Sequence, residues 1–326
     1  MSVPTTICTC IEAGFLEQQV VLLARSLRAL RSDFAHAAVL AVQPRKGPAI
    51  GRETRRQLTE LGVEYIPADL MEGYAWSDFM TKTAAMAWAE QHVKTPYLTW
   101  VDGDILFVRS PDALLPSVDF GFAGPPGEAD LGTNGSDENA AYWNRIAKLF
   151  GVPLDSGIRV PAADTGKEIL EYYNSGVYTV RCDEGISARQ LRYFKLLLEH
   201  KLAARSTGYY FNDMVALSMA ARSTRRPRFT YGPQMNFHLQ PDGYNPLTEP
   251  FVDSITLLHY HGSFFAPTPG VEVLIDRLPE DVRELVRAHT PFRIGRLRLD
   301  RRLWRKIDSV LKARHARQFD AECIRI

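Results

Sequence analysis

The sequence predicts an α/β fold in which a mostly parallel central sheet carries helices on both faces. Two observations predict it. Short apolar, β-branched runs alternate with longer segments whose apolar residues recur at helical spacing. One run, Tyr97-Leu98-Thr99-Trp100-Val101-Asp102-Gly103-Asp104-Ile105-Leu106-Phe107-Val108, is broken by two carboxylates one residue apart. In an α/β protein the carboxyl end of a strand is where ligands bind, so this break marks a candidate site.

The elements follow in order. Residues 5–11 (TTICTCI) are a short β-prone run, and Gly14 breaks it before a helical pattern over 15–30. Residues 38–42 are a second strand, 47–51 a turn, 52–61 a helix and 63–66 a third strand. A helix over 77–92 opens on Ser77 or Asp78 as its cap. The carboxylate strand follows, and after Phe107 the texture changes. Residues 119–123 are a possible strand, and 124–139 (GPPGEADLGTNGSDEN) a long loop of a length usually kept for function. Further on come a strand over 172–180 interrupted at Asn174-Ser175-Gly176, helices over 189–202 and 211–221, and a last strand over 254–260.

Composition sets the frame. The 326 residues can bury one large core or two modest ones, and 45% hydrophobic residues are ordinary for a soluble globular protein. A net charge of +1 gives no global attraction to nucleic acid or anionic surfaces. Cys8 and Cys10 alternate along an apolar strand, which reads as core packing, and no C-x-x-C zinc spacing occurs. With neither a basic start leading into an apolar leader nor an apolar run of membrane-spanning length, a reduced cytoplasmic protein is expected.

An unpaired buried carboxylate costs several kcal/mol, so adjacent charges in an apolar strand call for a reason. Asp102 and Asp104, with a glycine between, can turn both side chains toward one hard cation of the kind that binds carboxylates and substrate phosphates together. The competing reading is an exposed Asp-Gly hairpin turn. Asn174-Ser175-Gly176 in a strand independently suggests a bulge or close approach of the backbone by a ligand.

Four segments in a fixed order together resemble the GT-A nucleotide-sugar glycosyltransferases, closest in style to the glycogenin and lipopolysaccharide galactosyltransferase group (family 8-like). They are Asp102-Gly103-Asp104 after an apolar strand, Asn174-Ser175-Gly176-Val177, a helix start at Asn212-Asp213, and His259-Tyr260-His261-Gly262. The resemblance implies a GT-A, Rossmann-like catalytic domain over 1–270, with a nucleotide-binding half at 1–108 and a sugar and acceptor half at 109–270. Residues 271–326 would then be a basic helical extension.

It further implies a metal-dependent hexosyltransferase-like enzyme. A sugar would move from a nucleotide-diphosphate donor, a UDP-sugar, to a saccharide or lipid-linked glycan, with retention of configuration. Asp102, Asp104 and His259 would hold Mn²⁺ or Mg²⁺, with His261 as the alternate imidazole because alternate strand residues share a face. Imidazole favours manganese. Thr9, Ile11 and Glu12 would meet the nucleoside, and Asp102, Gly103, Asn174, Ser175, Gly176 and Gly262 the rest of the donor. Asp213, with Asn212, is the catalytic candidate, binding sugar hydroxyls or steadying a cationic anomeric carbon. Either could instead be merely a helix cap. The family's diphosphate-gripping lysine is replaced by Ser263-Phe264-Phe265-Ala266-Pro267. Lys82 is one substitute, its alternative being a solvated helix residue.

Residues 293–317 hold ten Lys/Arg against two Asp, a net of +8 that leaves the remainder at −7. Leu303, Trp304, Ile307, Val310 and Leu311 form one helical face there. Such a helix can lie on an anionic membrane surface at the inner face, or pack on the domain with its basic face in water. The aromatic interleaving that nucleic-acid binding requires is absent. Two rival readings remain. A sugar-phosphate nucleotidyltransferase would carry a glycine-rich phosphate loop, which Glu12-Ala13-Gly14-Phe15 is not. A degenerate GT-A domain would bind a partner or glycan without turnover.

Overall fold

The apolar runs become strands because their β-branched and aromatic residues can be buried on both faces of one sheet. A computed structural model describes residues 4–71, 73–240, 243, 246–292 and 299–326. The first half contains β1 (Thr5–Cys10), α1 (Phe15–Arg28), β2 (Ala38–Gln43), α2 (Arg52–Glu60), β3 (Val63–Pro67), α3 (Asp78–His92), β4 (Tyr97–Val101), β5 (Ile105–Phe107), β6 (Phe122–Gly124) and α4 (Ala140–Phe150). It continues with β7 (Arg159–Pro161), β8 (Glu168–Leu170), β9 (Val177–Arg181), α5 (Ile186–Glu199), β10 (Leu202–Ala203), α6 (Asn212–Ala221) and β11 (Arg228–Thr230). Last come β12 (Phe237–His238), β13 (Leu257–His259), α7 (Pro269–Arg277), α8 (Glu280–His289), α9 (Leu299–Glu322) and β14 (Ile324–Arg325).

The central sheet has seven strands in the order β11-β6-β9-β4-β1-β2-β3. It is parallel throughout except for β9, which runs antiparallel to both β4 and β6. Alternation sorts each strand's residues between two faces. Cys8, Leu40, Leu98, Trp100 and Tyr178 pack under α3, α5 and α6, whereas Ile7, Ile11, Val39, Ala41 and Val177 pack under α1. The chain winds from β1 outward through β2 and β3 and then returns to place β4 on the other side of β1. A crevice therefore opens between the ends of β1 and β4, the topological switch point.

Several expected elements differ. The run over 97–108 is two strands, because the chain turns at Asp102-Gly103-Asp104, where the Ile105 N–H donates to the Asp102 carbonyl at 3.1 Å. Thereafter β5 joins a second, three-stranded sheet, β12-β13-β5. The strand over 172–180 keeps only Val177–Arg181, since the Tyr173 N–H donates to Ser218 Oγ (2.9 Å) and the Gly176 N–H to Asn174 Oδ1 (2.8 Å) instead of to a neighbouring strand. The helix expected over 189–202 begins earlier, at Ile186, because the Glu90 carboxylate accepts the free Ser187 and Ala188 N–H groups at its start. The strand over 254–260 shrinks to Leu257–His259, and neither α4 nor the β7–β8 hairpin was expected.

The segment from 125 to 139 holds no helix or strand but is pinned by side chains. Asn139 Nδ2 donates to the Asp130 and Gly132 carbonyls, and the Trp143 indole to that of Leu131. Residues on either side of position 270 share one hydrophobic cluster, in which Leu106, Phe237 and Leu258 meet Val271, Leu274 and Val286. Of the expected basic helix, residues 293–298 and the Trp304 side chain lie outside the described residues. Beyond them α9 folds back, with Phe319 packed against Trp76 and Tyr209 and β14 paired with β10. Among the described residues no helix is long and apolar enough to cross a membrane.

Glu17 fixes the turn that leads away from β1. Its carboxylate accepts the Gly14 N–H (2.9 Å), the Gly51 N–H (2.7 Å) and the Thr54 hydroxyl (2.5 Å), tying the start of α1 to that of α2. Glu17→Ala strands those donors and is expected to cost ~1–3 kcal/mol, read by urea unfolding.

Candidate active and metal-binding site

The turn after β4 sends both carboxylates into the crevice at the switch point. Asp102 is fixed by the Trp100 indole, which donates to its Oδ1 at 2.8 Å, and by Lys82, whose ammonium lies 3.3 Å from both carboxylate oxygens. Asp104 faces His259 at the end of β13, with Nε2 to Oδ1 at 3.2 Å. The imidazole arrives there because β13 pairs antiparallel with β5, in a register that sets His259 opposite Ile105. Asp102, Asp104 and His259 each offer a ligand atom within 4.8 Å of the others, a donor set that fits a divalent cation. The exposed hairpin-turn reading is therefore set aside.

Second contacts hold the imidazole. His259 Nδ1 donates to Asn236 Oδ1 at 3.1 Å, which leaves Nε2 as the nitrogen turned toward Asp104. Asn236 Nδ2 donates to Asn174 Oδ1, and Asn174 Nδ2 to Glu128 Oε1. Gly176 sits beneath the ring. A Cβ there would come to 3.0 Å of His259 Cε1 and Nδ1, so the ring itself requires a glycine at this position.

Lys82 is no solvated helix residue. It is buried, and beyond Asp102 it contacts Ser175 Oγ at 3.0 Å, the Ser175 carbonyl at 3.3 Å and Asp213 Oδ2 at 3.6 Å. Burial opposes its charge, but Asp102 and Asp213 outweigh burial and hold the ammonium above its ordinary pKa. Burial likewise raises Asp102 and Asp213, against the pull of Lys82. Burial also works against ionising Asp104 and His259, yet each is the other's remedy. Asp104 ends below the ordinary carboxylate range and His259 above the ordinary imidazole value.

Other expected residues fall differently. Ser175 donates to Asp213 Oδ2 (2.7 Å) and is almost fully buried, so it positions Asp213. Asp213 Oδ1 is buried without a hydrogen-bond partner. Asn212 is consumed structurally: it accepts from the Tyr142 hydroxyl and donates to the Leu202 carbonyl at 1% exposure, which removes it from the catalytic set. It is not a cap either, since the N-cap position of α6 is Phe211. Of the three residues expected at the nucleoside, Thr9 and Ile11 point into the core beneath α1, whereas Glu12 faces the crevice together with Cys10. That correction is one step of strand alternation. Gly103 and Gly262 line the crevice beside the carboxylates.

The crevice has two connected parts that share Cys10, Phe15, Leu16 and Thr81. A cavity of about 310 Å³ holds the acidic pair and Lys82. A larger one, about 580 Å³, is lined by Glu12, Gln43, Arg45, Lys46 and Trp76, and α9 closes it with Asp308 and Lys312. Arg45 bridges Glu12 (3.0 Å) and Asp78 (2.9 Å), and Trp76 stacks on His315 of α9 at 4.8 Å. One face of α9 thus packs on the domain, while Leu303, Ile307, Val310 and Leu311 remain exposed. Ser263, where the resembling family carries its phosphate-gripping segment, donates to the Leu239 carbonyl, and Phe264 is buried.

Sequence reasoning missed Asn236, His238 and Glu128. The first lies in a 3₁₀ turn with no motif, and the other two reach the site from distant segments. Burial pushes the Glu128 carboxyl up to about 7, reinforced by Asp130 and Asp164 and opposed by the Asn174 amide.

A family model described as the Rhodobacterales glycosyltransferase domain matches residues 7–225. The galactosyltransferase LgtC, solved with donor and acceptor sugar analogues, is 12% identical over 91% of this chain and 99% of that one, with a TM-score of 0.50. An active-site mutant of LgtC gives 12% identity over 86% and 99% of the two chains, with a TM-score of 0.51. At such identities the likeness is one of fold, and that fold is the GT-A arrangement. No curated protein matches the chain.

Two measurements follow. Lys82→Met leaves Asp102 and Asp213 without their buried counter-charge and is expected to cost ~3–5 kcal/mol at pH 8, less at pH 5 where the carboxylates take up protons. Glu128 is raised from 4.5, so the unfolded chain ionises first and the wild type loses stability as pH climbs toward about 7. Glu128→Gln is expected to gain on the wild type between pH 5 and pH 8 in urea unfolding, and a constant difference would contradict the raised value.

Proposed function

The chain belongs to the Rhodobacterales glycosyltransferase domain family, and from that membership we propose a metal-dependent hexosyl transfer from a nucleotide-diphosphate sugar, a UDP-sugar, to a saccharide or lipid-linked glycan, with retention of configuration. The observation that carries this is the convergence of Asp102, Asp104 and His259 in the crevice at the switch point. LgtC, of the same fold, was solved with donor and acceptor sugar analogues, which supports a two-substrate crevice. Family membership also removes the nucleotidyltransferase reading.

The three ligands would hold a divalent cation, Mn²⁺ by virtue of the imidazole, which offsets the charge of the departing diphosphate. Lys82 fixes Asp102 and Asp213 before substrate arrives, so neither carboxylate has to be organised during the reaction. Asp213 keeps one buried oxygen unpaired, suited to a sugar hydroxyl or to the positive charge that develops at the anomeric carbon. Glu12, Gln43 and Arg45 line the larger cavity, whose volume suits the nucleoside. The outward face of α9 combines exposed Leu303, Ile307, Val310 and Leu311 with Lys306, Arg314 and Arg317, which suits docking on an anionic membrane surface.

Thermal unfolding against a panel of nucleoside diphosphates with and without Mn²⁺ tests the reading. UDP with Mn²⁺ is expected to stabilise the protein by ~2.7 kcal/mol at about 100 times Kd, and Asp104→Ala to abolish the shift. A shift without turnover of any UDP-sugar would leave the non-catalytic reading. Asp213→Asn is expected to lower kcat by ~10²–10³-fold with the thermal shift retained. Full activity in that variant would remove Asp213 from the chemistry.

A further inference from the structure

His259 belongs to a second constellation. His238, on β12, is its register partner in the parallel β12–β13 pair, and His261 follows two residues on. The three rings gather with centroids 5.0, 5.1 and 4.0 Å apart, and each offers a nitrogen within 4.8 Å of the others. His238 Nδ1 and His261 Nε2 already face one another at 3.0 Å. A tetrahedral ion with bonds of ~2.0–2.1 Å needs its nitrogens little further apart than that.

Two details argue that the cluster is built rather than incidental. His261 holds φ at 48°, the left-handed region, an arrangement that persists only where its surroundings impose it. The Asn236 oxygen accepts the His259 Nδ1 proton at 3.1 Å, the kind of outer contact that fixes ring orientation in metal centres. Its amide donates to His238 Nε2 at 2.8 Å, which holds that ring but does not supply the acceptor a ligating imidazole uses. The donor set also differs in kind from the acidic one. Three imidazoles without a carboxylate suit zinc, copper or nickel, whereas carboxylates suit magnesium and manganese.

We propose that His238, His259 and His261 form an all-nitrogen site for a borderline transition cation, filled in alternation with the acid-bearing site because both draw on His259. The alternation, though not the site itself, rests on His259 serving the catalytic cation. Cobalt(II) titrated into the full-length protein is the probe, since a tetrahedral nitrogen site gives it an intense visible band. The band is expected in the wild type and in Asp104→Asn. In His238→Asn and His261→Gln it is expected to vanish or to need at least ~10-fold more cobalt, the scale on which even outer-shell losses weaken a metal site. Circular dichroism of both variants establishes that they remain folded. Added Mn²⁺ should weaken cobalt binding in the wild type and leave Asp104→Asn unaffected.

A band that survives in both histidine variants, or is absent from the wild type, overturns the site. A band indifferent to Mn²⁺ in the wild type overturns the alternation. Loss of the UDP and Mn²⁺ thermal shift with an intact cobalt band would instead sink the catalytic reading and leave this site standing.

Discussion

The site hangs on one buried ammonium. Lys82 lies between Asp102 at the end of β4, Ser175 ahead of β9 and Asp213 at the start of α6. No buried charge of this kind is tolerated alone, and removing either side of such a pair exposes the full desolvation cost of the other. The ammonium therefore demands that three distant segments close on α3, and their closing is what shapes the crevice. It also leaves the acidic part of the crevice rich in negative charge. Among the described residues, Asp102, Asp104 and Asp213 are met by Lys82 and by a His259 whose charge depends on Asp104. A divalent cation at the proposed site would complete the balance.

Around that hub the protein uses close packing to aim the imidazole. His259 rests on Gly176 with no room for a Cβ between them, and Asn236 takes its Nδ1. Asn174 holds the Gly176 N–H and meets Asn236 and Glu128. The Asn-Ser-Gly segment is therefore a hub of hydrogen bonds beneath His259. Its three residues act differently, in that Asn174 links, Ser175 orients Asp213, and Gly176 makes space. The same bracing by Asn236 also draws His238 into the group, which is how one register pair brings a second set of nitrogens beside the acidic one.

The alternation of apolar runs and helical periods was enough to read the sheet, and an aspartate pair in an apolar strand was enough to mark the turn that faces the crevice. Face assignments were harder. Thr9, Ile11 and Glu12 were expected at the nucleoside, yet Thr9 and Ile11 turn into the core and Glu12, with Cys10, faces the crevice, because sequence alone does not tell which parity of a doubly buried strand looks outward. Asn212 and Asp213 are neighbours of similar chemistry, but the helix turn sends one to Tyr142 and the other to Lys82. Lys82 itself carries no local mark of burial, since its counter-charges lie far off in the chain.

Local chemistry thus determined the α/β class, the positions of Asp102, Asp104 and His259, and the amphipathic nature of the C-terminal helix. Each of these is written within a few residues as periodicity or as charge where charge is costly. Tertiary structure alone decided which nitrogen of His259 faces Asp104, that Lys82 spans two carboxylates, and that α9 closes the larger cavity with Asp308 and Lys312. These depend on strand register and on contacts between segments far apart in the chain, and no local pattern encodes a distance between them.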